Sequence, residues 1–312
     1  MTKYILRRLI YSLTLLVGVM LILFILYHVL GGSDKVVLRM LGKQATQEDI
    51  DNLRRQYGFD KSYFSQLLEM GRQCLVFDFG RSITTRQKIS SMIAEGAIPS
   101  LTLMAPAFFV TVILSITVSL LCAYKRDGYF DRMMVIVSVA GMSISIMAYI
   151  ILGQYLFAYK WKLFPIMGYE PGLNAVRYIV LPVIIYTAVS LGSNVRLFRT
   201  FILNEINQDY VRTARAKGVS VPRLLFKHVL KNAMIPIITQ VVIEIPFLIM
   251  GSLLLENFFS IPGLGSMSID ALANWDLPVL RAVTFLGSLM FILGNLLSDI
   301  LYAFVDPRIR FE

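Results

Sequence analysis

Apolar and charged positions segregate along this chain into long blocks. Six windows carry no charge or a single one: 9–33, 97–124, 133–159, 178–195, 232–255 (interrupted only by Glu244) and 282–298, which can run on past Asp299 to Val305. Each is close to the ~20 residues that a helix rising about 1.5 Å per residue needs to cross about 30 Å of hydrocarbon. A backbone in lipid has no water to bond with, so the spans are predicted to be helices. With the sixth window run on to Val305 the fourth is the shortest, and it contains Pro182. The run after Arg8 continues to Ser33, well beyond the roughly 7–15 apolar residues of a signal peptide, and reads as the first span. The pattern predicts an all-α polytopic membrane protein with six transmembrane helices.

Composition agrees. Of 312 residues, 56% are hydrophobic and 16% charged, against about 45–50% and 25% in ordinary globular chains. The net charge of +10 is explained by topology rather than nucleic acid, because no basic stripe interleaved with stacking aromatics occurs in a soluble segment. With the N-terminus inside, the inner segments hold 16 Lys/Arg and the short outer loops only Lys160, Lys162, Arg177 and Arg281. Both termini are therefore expected to be cytoplasmic. Trp161 and Trp275 then fall on the outer side, where an aromatic belt would place them. Cys74, Cys122, His28 and His228 show no metal-ligand or catalytic spacing.

Three regions follow: 1–33, the N-terminal segment and first span; 34–96, an extracytoplasmic loop subdomain; and 97–312, a five-helix core containing a cytoplasmic loop at 199–231. The outer loop is too long for a connector. Within it, ATQEDIDNLRRQYG reads as a capped helix ending at Gly58, and YFSQLLEM places Phe64, Leu67 and Leu68 on one side. A lid packed on the protein and a docking surface both fit. In the outer loop 256–281, Pro262-Gly263 reads as a tight turn with Pro at i+1 and Gly at i+2, and SMSIDALAN as a short helix.

The most charged stretch is 196–231, which contains DYVRTARAKG at 209–218. Asp209 stands where a helix dipole favours an anion, Arg215 and Lys217 where it favours cations, and Gly218 at the left-handed C′ position. Tyr210, Val211 and Ala214 share a face. Ser220 and Pro222 then open a second helix leading into the fifth span. A solvated basic loop needs neither caps nor a small-residue face. The pattern favours a helix that fits a groove on a cytoplasmic partner. No GxxxxGK[ST] phosphate loop occurs, the nearest fragment being LGKQ at 41–44, so ATP used in that way must bind another chain.

Three residues inside spans are candidates for a translocation pathway or gate. Glu244, beside Pro246, is a candidate for lining or gating a pathway, because a carboxylate in lipid is costly unless it has a use. Asn295 and Asp299, four apart on one helix face, are further pathway candidates, but helix–helix hydrogen bonding or a cytoplasmic ion pair is the favoured account of them. A rival reading makes the chain a secondary transporter or channel with Glu244 and Asp299 as an ion relay. An intramembrane protease would need a catalytic pair at membrane depth that the sequence does not supply.

RTARAKG at 212–218 resembles one branch's form of the EAA loop of ABC importer permeases. Arg212 and Thr213 replace the Glu and first Ala of the general pattern, while Ala214 and Gly218 keep theirs, and Pro236 in NAMIP stands where that branch has its proline. FSIPGLG at 259–265, NLLSDILYAFVDPRIR at 295–310, ILRRL near the N-terminus, GFD at 58–60 and DFGRS at 78–82 extend the resemblance over nearly the whole chain. GGSD at 31–34 departs from the usual PGDP. The chain thus resembles the first permease of the oligopeptide/dipeptide (nickel) uptake systems.

The resemblance implies the type I importer permease fold and no cofactor in this chain, with ATP and magnesium held by partners. It implies a second homologous permease, two cytoplasmic ATPase subunits, an extracytoplasmic substrate-binding protein and a peptide substrate. It further implies that Tyr210, Arg212, Thr213, Ala214, Arg215, Ala216, Lys217 and Gly218 form the loop coupling the spans to the ATPase.

Overall fold

A computed structural model describes residues 2–31, 48 and 61–305. The predicted helix at 45–58, GFD at 58–60, most of GGSD and the end of the C-terminal motif lie outside the described residues, Glu48 apart. Helices are the regular structure of the described residues, apart from a single isolated bridge, Arg81 to Lys88. Among the described residues five helices are long and apolar enough to cross a membrane, six if one bent pair is counted as a single span.

The chain divides into two compact units, Met1–Ala97 with Met267–Leu296 and Ile98–Ser266 with Leu297–Glu312. In the first, α1 (Thr2–Gly31) is followed by α2 (Tyr63–Val76). Ser62 caps α2 by accepting from the Ser65 amide, and Phe77 ends it in the left-handed conformation. The segment after it is tied to the region preceding α11 (Leu277–Val305). Asp276 accepts from the Ser82 hydroxyl and from the Ile83 and Thr84 amides, each at 3.2 Å. Arg281 donates to Gln73 at 2.9 Å, and Phe79 packs on Phe285.

The second unit contains most of α3 (Ile89–Tyr124), then α4 (Tyr129–Met142), α5 (Ile146–Gly153), α6 (Ala175–Ile206), α7 (Asp209–Ala216), α8 (Leu230–Met250) and α9 (Leu253–Phe258). The short helix α10 (Leu264–Ala273) begins in it. Prolines 99, 106, 182, 236 and 246 all lie inside helices. Such prolines are tolerated in lipid where neighbouring groups satisfy the freed carbonyls.

The expected third span, 133–159, is not one helix. It breaks at Ser143–Ser145, and its halves meet at 95°. Ser145 stops the ladder locally by capping the new helix through the Ala148 amide, and the Tyr149 hydroxyl reaches back across the break to the Gly141 carbonyl. An uncharged window reports hydrophobicity alone, so the break was invisible in it. The far half ends in a π-helical turn, Gln154–Lys160.

Small residues set the packing, as they do where lipid supplies no hydrophobic drive between helices. Thr111 and Thr187 bond hydroxyl to hydroxyl between α3 and α6, and Ser119 donates to the Val195 carbonyl. Gly192 lies so close to α4 that an added Cβ would stand 2.8 Å from the Ser138 carbonyl oxygen. Replacing Gly192 by Val should therefore force α4 and α6 apart at a cost of about 1–3 kcal/mol. Thermal unfolding of the detergent-solubilised protein checks this, and an unchanged midpoint would refute the close contact.

Candidate functional site

The segment 199–231 forms a defined knuckle. α7 is eight residues long and ends in a Schellman motif: the Gly218 amide bonds the Arg215 carbonyl and the Val219 amide the Ala214 carbonyl. Gly218 has φ +77°, and an added Cβ there would meet nothing within 4 Å. Its lack of a side chain serves the backbone angle rather than space. Asp209 opens α7, and its exposed 3.5 Å pair with Arg212 adds little stability. Ser220 has the extended backbone of a cap but makes no side-chain cap bond. The next helix starts with Pro222 in its first turn and passes through a π-helical turn at Leu224–Val229 before α8.

Burial sorts the two sides of α7. Val211 and Ala214 point inward, onto a cluster of Leu120, Ala123, Phe198, Ile202, Leu224, Leu225 and Val229. Ala214 is thus spent holding α7 to its own chain. Arg212, Thr213, Arg215, Ala216, Lys217 and Gly218 are exposed. The Tyr210 hydroxyl donates to Glu205 at 2.6 Å. Burial, followed by this bond to the carboxylate, pushes the phenol up to about 12, although the Asn232 side chain opposes the shift. Tyr210 therefore stays a neutral donor throughout the physiological range and anchors α7 to the end of α6.

Beside this cluster the sequence reading missed an ion pair. Arg199 on α6 donates twice to Asp131 on α4, at 2.7 and 2.6 Å, and Asp131 is almost wholly buried. Bidentate geometry of this kind is the strong form of the contact. Asp131 also accepts from the Asp127 amide at 3.1 Å, fixing the turn before α4.

The intramembrane candidates differ. Glu244 is half-buried on α8 and makes no hydrogen bond or ion pair among the described residues; Tyr186 lies within its electrostatic reach. Asn295 and Asp299 are half-buried on α11. Between them in sequence, Ser298 is buried and faces the Thr239 carbonyl of α8 at 3.5 Å.

The most constrained acid is one the sequence reading passed over. Glu256 on α9 has no exposed surface. Its Oε1 accepts from the Ser100 hydroxyl at 2.8 Å and the Ser252 amide at 3.2 Å; its Oε2 accepts from the amides of Gly265 at 2.7 Å and Ser266 at 3.1 Å. Ser100 in turn accepts from the Leu264 amide at 2.8 Å. A Cβ on Gly251, Gly263 or Gly265 would collide with the Glu256 carboxyl. Gly251, at φ 71° and ψ −170°, also holds a conformation essentially reserved for glycine.

The expected Pro-Gly turn is corrected here. Gly263 does not adopt positive φ; the Gly263 amide bonds the Ile261 carbonyl, and Ser260 takes the left-handed conformation. Gly263 is needed because a side chain would displace Glu256. An acid flanked by three glycines within fifteen residues was the signal available in the sequence.

Residues 115–311 match the family of binding-protein-dependent transport system inner membrane components, and residues 1–103 match the N-terminal model of the same transport system membrane component. A Brucella abortus (strain 2308) protein named as a peptide transport system permease is 32% identical over 316 residues, covering all of both chains. The glutathione transport system permease protein GsiC of Escherichia coli (strain K12) is 31% identical over 312 residues, again covering both completely.

Glu256→Ala should strand three backbone amides and a serine hydroxyl, destabilising the protein by roughly 3 kcal/mol or more. Glu256→Gln, which keeps one carbonyl oxygen, should fall between it and the wild type. Limited proteolysis at 251–266 together with thermal unfolding reads both, and wild-type behaviour of the alanine variant would refute the cradle.

Proposed function

The chain belongs to the family of binding-protein-dependent transport system inner membrane components, and on that premise we propose that it forms, with a second homologous permease, the translocation pathway of an ABC importer for peptides. It is a multi-pass membrane permease of the ABC importer class. Relatives that match it end to end are named for peptide and glutathione transport; glutathione is itself a short peptide, which supports a peptide cargo here. ATP hydrolysis is assigned to two cytoplasmic partner subunits, and delivery of the cargo to an external binding protein.

The observation that carries the coupling role is the division of labour on α7. Its apolar side is consumed inside the chain, while Arg212, Thr213, Arg215 and Lys217 remain exposed on a helix whose end is locked by Gly218. A helix held by its own core and polar outside suits rigid docking on a partner. Force applied to α7 would pass through Val211 and Ala214 to Phe198 and Ile202 on α6, and through Arg199–Asp131 to α4. Rigid packing carries such displacement because cores are not continuously deformable.

The test is to purify the chain in mild detergent from its native membrane and read the stoichiometry of its companions by mass spectrometry. A second permease and ATPase subunits are expected; an isolated chain that transports in vesicles without ATP would overturn the reading. Gly218→Val should abolish uptake while leaving membrane levels intact, since a β-branched residue is strained at φ +77°. Full uptake by that variant would sink the docking-turn assignment. Glu244→Gln should change uptake or basal ATPase of the assembled complex if Glu244 lines the pathway, and unchanged values for both would return it to packing.

A further inference from the structure

Tyr210 follows Asp209 at the start of α7 and sits at the edge of the apolar cluster, with 36% of its surface exposed. What it contributes is its hydroxyl. That oxygen donates to Glu205, in the last turn of α6, at 2.6 Å. The side chain of Asn232, in the first turn of α8, bonds to the same hydroxyl. The proton goes to Glu205 and the Asn232 amide donates in return, which uses both the donor and the acceptor capacity of a phenol. One oxygen thus holds side chains from two different spans.

The chain itself joins α7 to these spans unequally. Between α6 and α7 lie only Asn207 and Gln208, and the Gln208 amide bonds the Glu205 carbonyl at 3.2 Å. The start of α7 is therefore tied closely to the fourth span. The route to the fifth span is longer, through the left-handed turn at Gly218 and the π-helical turn at Leu224–Val229. Irregular turns of this kind are where a helical path can flex. Val211 and Ala214 share the apolar cluster with Leu224, Leu225 and Val229. Apolar contact is non-directional, so it sets the separation of helices more firmly than their rotation. A hydrogen bond has direction. The Tyr210 hydroxyl bypasses both turns and orients α7 against α6 and α8 at once.

We infer that Tyr210 is the positioning residue of α7, whose hydroxyl, seated on Glu205 and Asn232, delivers a displacement of α7 to the fourth and fifth spans together. This rests on the coupling role proposed for α7 and divides it in two. Docking on the ATPase belongs to the outer side, Arg212, Thr213, Arg215 and Lys217. Transmission belongs to the Tyr210 joint, and Arg199–Asp131 carries the motion on from α6 to α4. Without the hydroxyl the ATPase still binds and turns over, but the two spans no longer follow α7 as one.

The test uses the complete complex in proteoliposomes with ATP enclosed. The binding protein is supplied outside with a defined mixture of short peptides that includes glutathione. Peptide entering and ATP hydrolysed are read on the same vesicles. Tyr210→Phe should keep its ATPase subunits and hydrolyse ATP within about twofold of the wild type, yet deliver roughly tenfold less peptide per ATP. Glu205→Leu should do the same, whereas Glu205→Gln, which keeps an accepting oxygen, should transport like the wild type. Tyr210→Phe combined with Glu205→Leu should be no worse than either alone, because both remove one bond. Unchanged delivery per ATP in Tyr210→Phe and Glu205→Leu would overturn the proposal. So would a parallel loss of uptake, hydrolysis and thermal midpoint, which marks a structural staple, or loss of the ATPase subunits, which marks a docking contact. A wild-type complex that lacks ATPase subunits or takes up no peptide would overturn the proposed function itself, and the joint with it.

Discussion

A chain crossing lipid must satisfy its backbone internally, and the difficulty concentrates wherever a helix stops. In this protein buried acids meet it. Glu256 takes the amides of Ser252, Gly265 and Ser266, Asp276 those of Ile83 and Thr84, and Asp131 that of Asp127. Each also holds a side chain from a distant element: Ser100, Ser82 and Arg199 respectively. A buried acid is costly unless nearly every acceptor site is used, and these three are well supplied. Every irregular junction they close is fixed by charge-assisted bonds rather than left to loop packing.

The arrangement bears on transport. A permease must move its spans without letting their ends unravel. The Glu256 cradle makes α9, the turn at Ile261–Gly263, the start of α10 and the Ser100 region of α3 one rigid piece, adjoining the helix end at Met250–Gly251. At the other end of the fifth span, α7 and the turns after it are packed on the ends of α3 and α6. Between these fixed regions α8 carries Pro236, Pro246 and Glu244, which makes no hydrogen bond among the described residues. The fifth span is therefore anchored at both ends.

The spans, the polar helix at 209–216 and its glycine stop were legible in the sequence because their causes are local. A charge-free run is a property of neighbouring residues, and a Schellman ending needs only the few residues that fold into it. The mid-span Glu244 was equally visible, since a charge within an apolar window stands out wherever the window packs.

Tertiary structure alone decided the rest. Ser100 and Glu256 are 156 residues apart, and Ser82 and Asp276 are 194 apart, so nothing in either neighbourhood announces the pairing. Ala214 looked like part of a docking face until the cluster showed that face turned inward. Gly263 looked like a turn residue until the carboxyl beside it was seen. The 95° break at Ser143–Ser145 passed as ordinary apolar sequence. Hydrophobic run length, caps and backbone angles belong to short segments, so the sequence by itself determined which segments enter the membrane and where the exposed helix ends. Which acid meets which amide depends on a three-dimensional juxtaposition that only the folded chain creates.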